Sequence, residues 1–135
     1  MAIYKLSKDA ITRLAGTTFA DRGVKERSDL QRLLRANIAV VAEDTLVIGE
    51  EYGEWEDSKR RIDLLAVDRD ANLVVIELKR TDDGGHMELQ ALRYAGMVAG
   101  MTFARAVEVY QAFLDKQKPG QDARTKLLEF LDWDE

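Results

Sequence analysis

The sequence predicts a single α/β domain, and two observations carry this prediction. The chain has 135 residues, the usual length of one domain. Three consecutive strand-like segments occupy the middle of the chain, and amphipathic helical patterns lie on both sides of them. The predicted order of elements is therefore ααβββααα, with a small sheet.

The N-terminal part of the chain predicts two helices. In residues 1–22, Ser7 is a plausible N-cap. The apolar face of this first helix consists of Ala10, Ile11 and Leu14. A better helix follows Gly23, with a capping box formed by Ser28 and Gln31. Its apolar stripe consists of Leu30, Leu33, Leu34 and Ile38. We therefore expect a helical arm over 1–22, followed by the first helix of a core that spans 23–101.

Three strand-like segments come next, over residues 45–48, 61–68 and 73–79. The second is mostly apolar, as expected for a strand covered on both faces. A tight turn is predicted at Asp70-Ala71-Asn72. Because this connection is short, the last two strands are expected to form an antiparallel hairpin.

The C-terminal part predicts three helices. The first runs from about 87 to 100, and one of its faces consists of Leu89, Leu92, Ala95 and Ala99. The second covers the amphipathic stretch 103–114 and stops at Lys118-Pro119-Gly120. A last short helix is predicted around residues 127–131. Residues 102–135 therefore form a helical extension, whose apolar stripe serves as core or as a dimer interface.

The composition excludes several kinds of functional site. The chain has no cysteine, which removes disulfides, thiolate zinc sites and cysteine nucleophiles. Its only histidine is His86, so a two-histidine metal site within one chain is excluded. No apolar run reaches the length of a membrane helix, and the N-terminus lacks the apolar core of a signal peptide. We expect a cytoplasmic protein that does not enter the membrane.

Charged residues interrupt the apolar strands at the predicted hairpin. Glu77 and Lys79 follow four apolar residues and are two positions apart, so they point to the same face of a strand. In a hairpin that turns near Ala71, Asp63 lies opposite Glu77. Two neighbouring carboxylates repel each other, and a divalent cation between them resolves the repulsion. Oxygen ligands alone favour Mg²⁺ or Mn²⁺, and this arrangement suits hydrolysis of a phosphodiester.

At this point the chain resembles the PD-(D/E)XK nuclease superfamily. Ile62-Asp63 and Glu77-Leu78-Lys79 are similar to its signature, with Ile62 in place of the proline. Two further segments resemble motifs of RecB-like and branch- or mismatch-cleaving endonucleases. They are Glu26-x-x-Asp29-Leu30-Gln31 and Gln90-x-x-x-Tyr94. The resemblance covers about residues 23–101.

The resemblance implies a restriction-endonuclease-like αβββα core with a small mixed sheet and a metal-dependent DNA nuclease. Asp63, Glu77 and the Leu78 carbonyl would bind Mg²⁺ or Mn²⁺, and Glu26 would add a carboxylate. Lys79 would assist the attacking water. Gln90 and Tyr94 would position the phosphate.

The chain departs from the family pattern in one respect, because no fourth core strand follows the predicted 87–100 helix. We therefore expect an N-terminal fragment of a longer protein or a truncated protein. Its open sheet edge would have to be covered, for which we expect a homodimer formed through that edge or through the C-terminal helices. The missing strand and the net charge of −5 also favour an alternative function. In that alternative, the chain is a non-catalytic nuclease-like module that binds nucleic acid or a protein.

Each candidate residue could also serve the fold alone, without a role in catalysis or binding. Asp63, Glu77 and Lys79 would then form a charge cluster at the end of the sheet. Glu26 would be a first-turn carboxylate favoured by the helix dipole. Gln90 and Tyr94 would be ordinary half-buried helix residues.

Overall fold

A three-stranded antiparallel sheet forms the centre of this fold. The structure is a computed structural model, and it describes residues 1–53, 61–79 and 87–134. The sheet has the order β3-β4-β5, with β3 at Thr45–Tyr52, β4 at Ile62–Asp68 and β5 at Leu73–Ile76. Both pairs of neighbouring strands are antiparallel. The α/β class is therefore as predicted, whereas the prediction of a mixed sheet is wrong for these strands.

The predicted hairpin of β4 and β5 is confirmed with its register. Leu64 pairs with Ile76, and Val67 pairs with Leu73. The Asp68 carboxylate accepts hydrogen bonds from the backbone N–H groups of Asp70 and Asn72, at 3.0 and 2.8 Å. Ala71 takes a left-handed conformation with φ 62°. The aspartate-rich turn therefore closes through side-chain acceptors, as turns of this composition usually do.

The N-terminal arm is a β-hairpin, so the predicted helix over 1–22 is wrong. β1 (Tyr4–Leu6) pairs antiparallel with β2 (Ile11–Arg13). The Ser7 hydroxyl accepts from the N–H of Ala10 and donates to the Ala10 carbonyl, both at 3.1 Å. Ser7 therefore closes a turn and does not cap a helix, because its short side chain competes for local backbone groups.

The first core helix begins earlier than predicted. A π-helical segment covers Glu26–Gln31, α1 covers Arg32–Ala36, and a 3₁₀ turn covers Ile38–Val40. The Asp29 carboxylate accepts the Lys25 N–H at 2.9 Å, which satisfies a backbone donor just before this segment. Ser28 lies inside the segment, so the predicted capping box does not form.

The described part of the chain after the sheet is helical. It contains α2 (Met87–Val98), α3 (Phe103–Gln117) and α4 (Ala123–Leu131). Thr102 caps α3 by accepting the Arg105 N–H at 3.2 Å. No strand follows α2 in this part of the chain, in agreement with the sequence prediction. None of the described helices is long and apolar enough to cross a membrane.

The main core lies between the sheet and the C-terminal helices. It consists of side chains from β3 and β4 together with Tyr94, Val98 and the buried residues of α3 and α4. A smaller cluster on the sheet unites Val47, Leu64 and Ala66 with the first core helix. The stripe of α3 is therefore core, as one of the two predicted interpretations states.

The apolar face predicted for α2 is wrong. Leu89 and Leu92 are 59% and 70% exposed, and Ala95 and Ala99 are also exposed. The buried face instead carries Tyr94 and Val98, because α2 packs on the sheet along the Gln90, Tyr94 and Val98 line. Residues 82–86, including His86, lie outside the described residues.

Candidate metal and nuclease site at the end of the hairpin

The two predicted metal-binding carboxylates lie next to each other at the open end of the β4–β5 hairpin. Asp63 follows Ile62 in β4, and Glu77 comes directly after Ile76 of β5. The backbone N–H of Asp63 donates to Glu77 Oε1 at 3.4 Å. Asp63 is only 8% exposed, although it is charged in its ordinary state. The hairpin register therefore brings the two carboxylates together, as predicted.

The Asp63 carboxylate also ends the strand. The Leu78 N–H donates to Asp63 Oδ2 at 2.9 Å in place of a backbone carbonyl. β5 consequently stops at Ile76, three residues before the predicted end. Leu78 thus contributes its N–H group to this arrangement, and its carbonyl remains a predicted ligand only.

Burial and repulsion perturb both carboxyl groups. Burial, together with the neighbouring Asp63 charge, raises the pKa of Glu77 to about 7. Burial also raises the pKa of Asp63, with further contributions from Glu51 and Glu26, against the hydrogen bond from Leu78 and the charge of Lys79. Because two carboxylates face each other here, the site favours a proton or a cation.

Gln90 connects α2 to the carboxylates. Its Nε2 donates to Glu77 Oε2 at 3.0 Å and to the Tyr94 hydroxyl at 3.5 Å. Tyr94 is 1% exposed and belongs to the main core. Gln90 therefore lies at the site, whereas most of the Tyr94 ring is packed into the core and only its hydroxyl reaches toward the site.

Lys79 and Glu26 form a second group at the same end of the sheet. Lys79 Nζ lies 3.6 Å from Glu26 Oε1, and each side chain is about one third exposed. The Lys79 charge lowers the pKa values of both Asp63 and Glu77, so the two groups share one electrostatic environment. The first core helix and the end of the hairpin are thus joined by residues that the sequence singled out.

Glu51 is a site neighbour that the sequence analysis missed. The β3–β4 register pairs Glu50 with Leu64 and Tyr52 with Ile62, which places Glu51 across from Asp63. Its Oε1 is buried without a hydrogen bond and lies 3.6 Å from Arg27 Nε. Glu51 has a left-handed backbone with φ 51°, a conformation that is uncommon for a residue with a side chain. From the sequence alone, Glu51 could be noticed only as an acidic residue at the end of a strand, and such residues are too common to point to a site.

A buried polar network holds the first core helix on β3. Gln31 is 3% exposed and donates to Glu50 Oε1 at 3.1 Å. Arg35 forms an ion pair with the other oxygen of Glu50. Gln117 of α3 donates to the same oxygen at 3.4 Å. This network fixes the helix that carries Glu26, because Gln31 and Arg35 of that helix share Glu50 of β3 with Gln117 of α3.

The donor chemistry fits a hard divalent cation. Glu51 and Glu77 both act electrostatically on Asp63, and Glu51 supplies a buried oxygen that lacks a hydrogen bond. Carboxylate oxygens are the ligands that Mg²⁺ and Mn²⁺ prefer. Within residues 1–53, 61–79 and 87–134, however, no three carboxylate, histidine or cysteine side chains come close enough together to hold a metal ion. The side chains are therefore of the chemical type that binds such a cation, but the described part of the structure does not bring three of them together as ligands.

The candidate site thus consists of Asp63, Glu77 and Gln90 on one side and of Lys79 and Glu26 on the other. No protein-family model matches the chain, and neither the curated proteins nor the solved structures include a match. The resemblance to the nuclease superfamily consequently depends on the motif residues and on their arrangement alone.

Proposed function

We propose that the protein is a divalent-metal-dependent DNA nuclease of the PD-(D/E)XK type, acting in the cytoplasm. One observation carries the proposal, namely the adjacency of Asp63 on β4 and Glu77 directly after β5. Paired carboxylates of raised pKa are costly to a fold, and such pairs are concentrated at functional sites. The Lys79–Glu26 pair in the same electrostatic environment supports this choice.

In this proposal, each residue has a defined role. Asp63, Glu77, Glu26 and the Leu78 carbonyl would hold Mg²⁺ or Mn²⁺. The cation, when bound, would supply positive charge to the phosphate and lower the pKa of a water molecule. Lys79 would donate hydrogen bonds to the attacking water or to the phosphate. Gln90 would orient Glu77 through their 3.0 Å hydrogen bond, and the Tyr94 hydroxyl would lie behind Gln90.

A second candidate function is a non-catalytic nuclease-like module that binds nucleic acid or a protein. The observation that favours it is the lack of three converging metal ligands in the described part of the chain. In such a module, Asp63, Glu77 and Lys79 would remain in place but would carry out no metal-dependent chemistry. The two functions differ in a single measurement, because only the first predicts cleavage that requires a divalent cation.

The test is cleavage of supercoiled, single-stranded and branched DNA with Mn²⁺, Mg²⁺ or EDTA. We expect the parent protein to cleave at least one substrate with the metal, and Lys79→Ala to lose that cleavage. Lys116→Ala is the matched control, since Lys116 is an exposed lysine on α3. Circular dichroism spectra must match for all three proteins. Equal cleavage by Lys79→Ala would refute the assigned site, and lack of cleavage by the parent would favour the module.

The homodimer is also a proposal. β5 is an edge strand of the described sheet, and the exposed Leu89 and Leu92 lie on α2, which packs beside it. Exposed sheet edges with apolar surroundings tend to acquire a pairing partner. Sedimentation of the parent and of a Leu89→Asp, Leu92→Asp variant tests this contact. A parent protein that stays monomeric at high concentration would exclude it.

A further inference from the structure

The first 27 residues, which are the N-terminal arm (1–22) and the start of the first core helix, carry a concentration of positive charge that the rest of the chain lacks. They include six basic residues and three acidic ones, whereas residues 28–135 have 14 basic and 22 acidic. The six basic residues are Lys5, Lys8, Arg13, Arg22, Lys25 and Arg27, and all of them are exposed. The protein as a whole is acidic, but its first 27 residues carry a net positive charge and the rest of the chain carries a net negative charge.

Most of these cations have no carboxylate partner among the residues that the structure describes. Arg27 pairs with Glu51 at 3.6 Å. For Lys5, Lys8, Arg13 and Arg22, no ion pair is present among the residues that the structure describes. In a chain with an excess of carboxylates, unpaired cations on one segment indicate a surface for an external anion.

The arm is connected along the chain to Glu26 of the candidate site. Every residue from 1 to 23 is exposed, so the β1–β2 hairpin does not serve as packing for the core. Lys25 and Arg27 flank Glu26, whose carboxylate contacts Lys79. A ligand held by the arm would therefore continue toward the Lys79 end of the sheet.

The side chains on the two faces of the β1–β2 hairpin indicate which kind of partner the arm binds. One face carries Tyr4, Leu6, Ile11 and Arg13, and the other carries Lys5 and Thr12, as the register requires. Both faces thus include a cation, and the exposed Tyr4 lies directly across from Arg13. Exposed cations on both faces fit a partner with a regular row of negative charges, such as the phosphates of a nucleic acid backbone. A purely apolar interface with a second copy would have to bury these charges without partners.

We propose that the N-terminal arm binds the phosphate backbone of DNA and guides it to the Lys79 end of the sheet. The inference rests on the proposed function, since it takes the same substrate and assigns its second contact surface. The arm supplies affinity without sequence preference, because phosphates are alike along any sequence.

The experiment measures binding of the full chain to a labelled DNA duplex by fluorescence anisotropy, in EDTA so that cleavage does not occur. The arm variant combines Lys5→Ala, Lys8→Ala and Arg13→Ala. The charge-matched control combines Lys116→Ala, Lys118→Ala and Arg124→Ala, three exposed positions near or on the C-terminal helices. A second arm variant with Lys5→Arg, Lys8→Arg and Arg13→Lys keeps the charge.

We expect the arm variant to bind at least about tenfold more weakly and to lose up to about 2.7 of the slope of log affinity against log salt. The control and the charge-keeping variant should bind like the parent. Equal weakening in the control, or unchanged binding in the arm variant, would overturn the inference. So would an arm variant that dissociates a parent dimer while its DNA binding is unchanged, because the arm would then be a contact between copies.

Failure of this inference and failure of the nuclease function are distinguishable. If the arm variant binds like the parent while Lys79→Ala abolishes Mn²⁺-dependent cleavage, the inference fails and the nuclease stands. If the arm variant loses binding but the parent never cleaves, the inference holds for a binding module and the nuclease fails.

Discussion

Replacing Glu77 by glutamine is expected to stabilise the metal-free protein at alkaline pH. The pKa of Glu77 is raised from 4.5 to about 7 by burial and by the Asp63 charge. The folded chain therefore holds a proton on Glu77 that the unfolded chain releases between these two pH values. By linkage, the free energy of unfolding falls as the pH rises from about 4.5 to about 7, and this loss is complete above that range.

The magnitude follows from the two pKa values. A fully desolvated carboxyl with this shift would lose about 3 kcal/mol of stability above pH 7. Glu77 is only partly buried, so solvent screening reduces the loss to about 1.5 kcal/mol. Glutamine keeps the shape and the oxygen that accepts the Asp63 N–H, but it carries no charge. Its NH2 group replaces the oxygen that accepts from Gln90, so the Gln90 amide must turn over and accept in its place. We therefore expect Glu77→Gln to gain about 1.5 kcal/mol over the parent near pH 8, or roughly 6 °C in Tm.

The assay is urea unfolding in EDTA, followed by circular dichroism from about pH 4.5 to 8.5. The parent should lose stability relative to Glu77→Gln as the pH rises, and the two should converge near pH 4.5. Glu129→Gln, at an exposed position on α4, is the control and should track the parent at every pH. A Glu77→Gln protein that is less stable than the parent by the same amount at pH 5 and pH 8 would refute the reasoning.

Two further predictions concern the core and a helix end. Leu65→Ala removes a fully buried side chain from the central strand and should cost about 3 kcal/mol of unfolding free energy. Leu92→Ala, at a 70% exposed position, should change it by less than about 0.5 kcal/mol in the same chemical denaturation, and equal losses would contradict the assignment of the buried face of α2. Thr102→Ala removes the cap of α3 and should cost about 1 kcal/mol. Thr102→Ser keeps the hydroxyl and should restore most of this loss, so a serine variant as unstable as the alanine variant would exclude the capping role.

The central hairpin could be predicted from the sequence because its signals are local. Asp68 to Asn72 supply the acceptors and donors of a tight turn, and the turn sets the register of both strands. Once that register is known, the position of Asp63 beside Glu77 follows from counting residues. The α3 helix was predictable for a similar reason, since its apolar stripe and the stop at Lys118-Pro119-Gly120 lie within one segment.

Of the two main errors, the first concerns local contacts and the second concerns a surface that is distant along the chain. Helical spacing in 1–22 predicted a helix, but the Ser7 turn and the pairing of Tyr4 with Arg13 favour a hairpin. Leu89 and Leu92 have the spacing of a buried stripe, yet α2 turns Tyr94 and Val98 toward the sheet. Which of two apolar faces is buried depends on the surface that the helix meets, and a helical pattern does not contain that surface.

The sequence by itself determined the class of the fold, the hairpin and the identity of the charged residues at its end. Only the tertiary structure decided that Glu51 lies across from Asp63 and that Glu26 meets Lys79. For the contact of Glu26 with Lys79, the physical reason is sequence separation. A turn of a few residues fixes its own strand register, whereas contacts between residues 50 positions apart depend on how the first core helix packs on the sheet. Here that packing depends on the contacts of Glu50 with Gln31, Arg35 and Gln117.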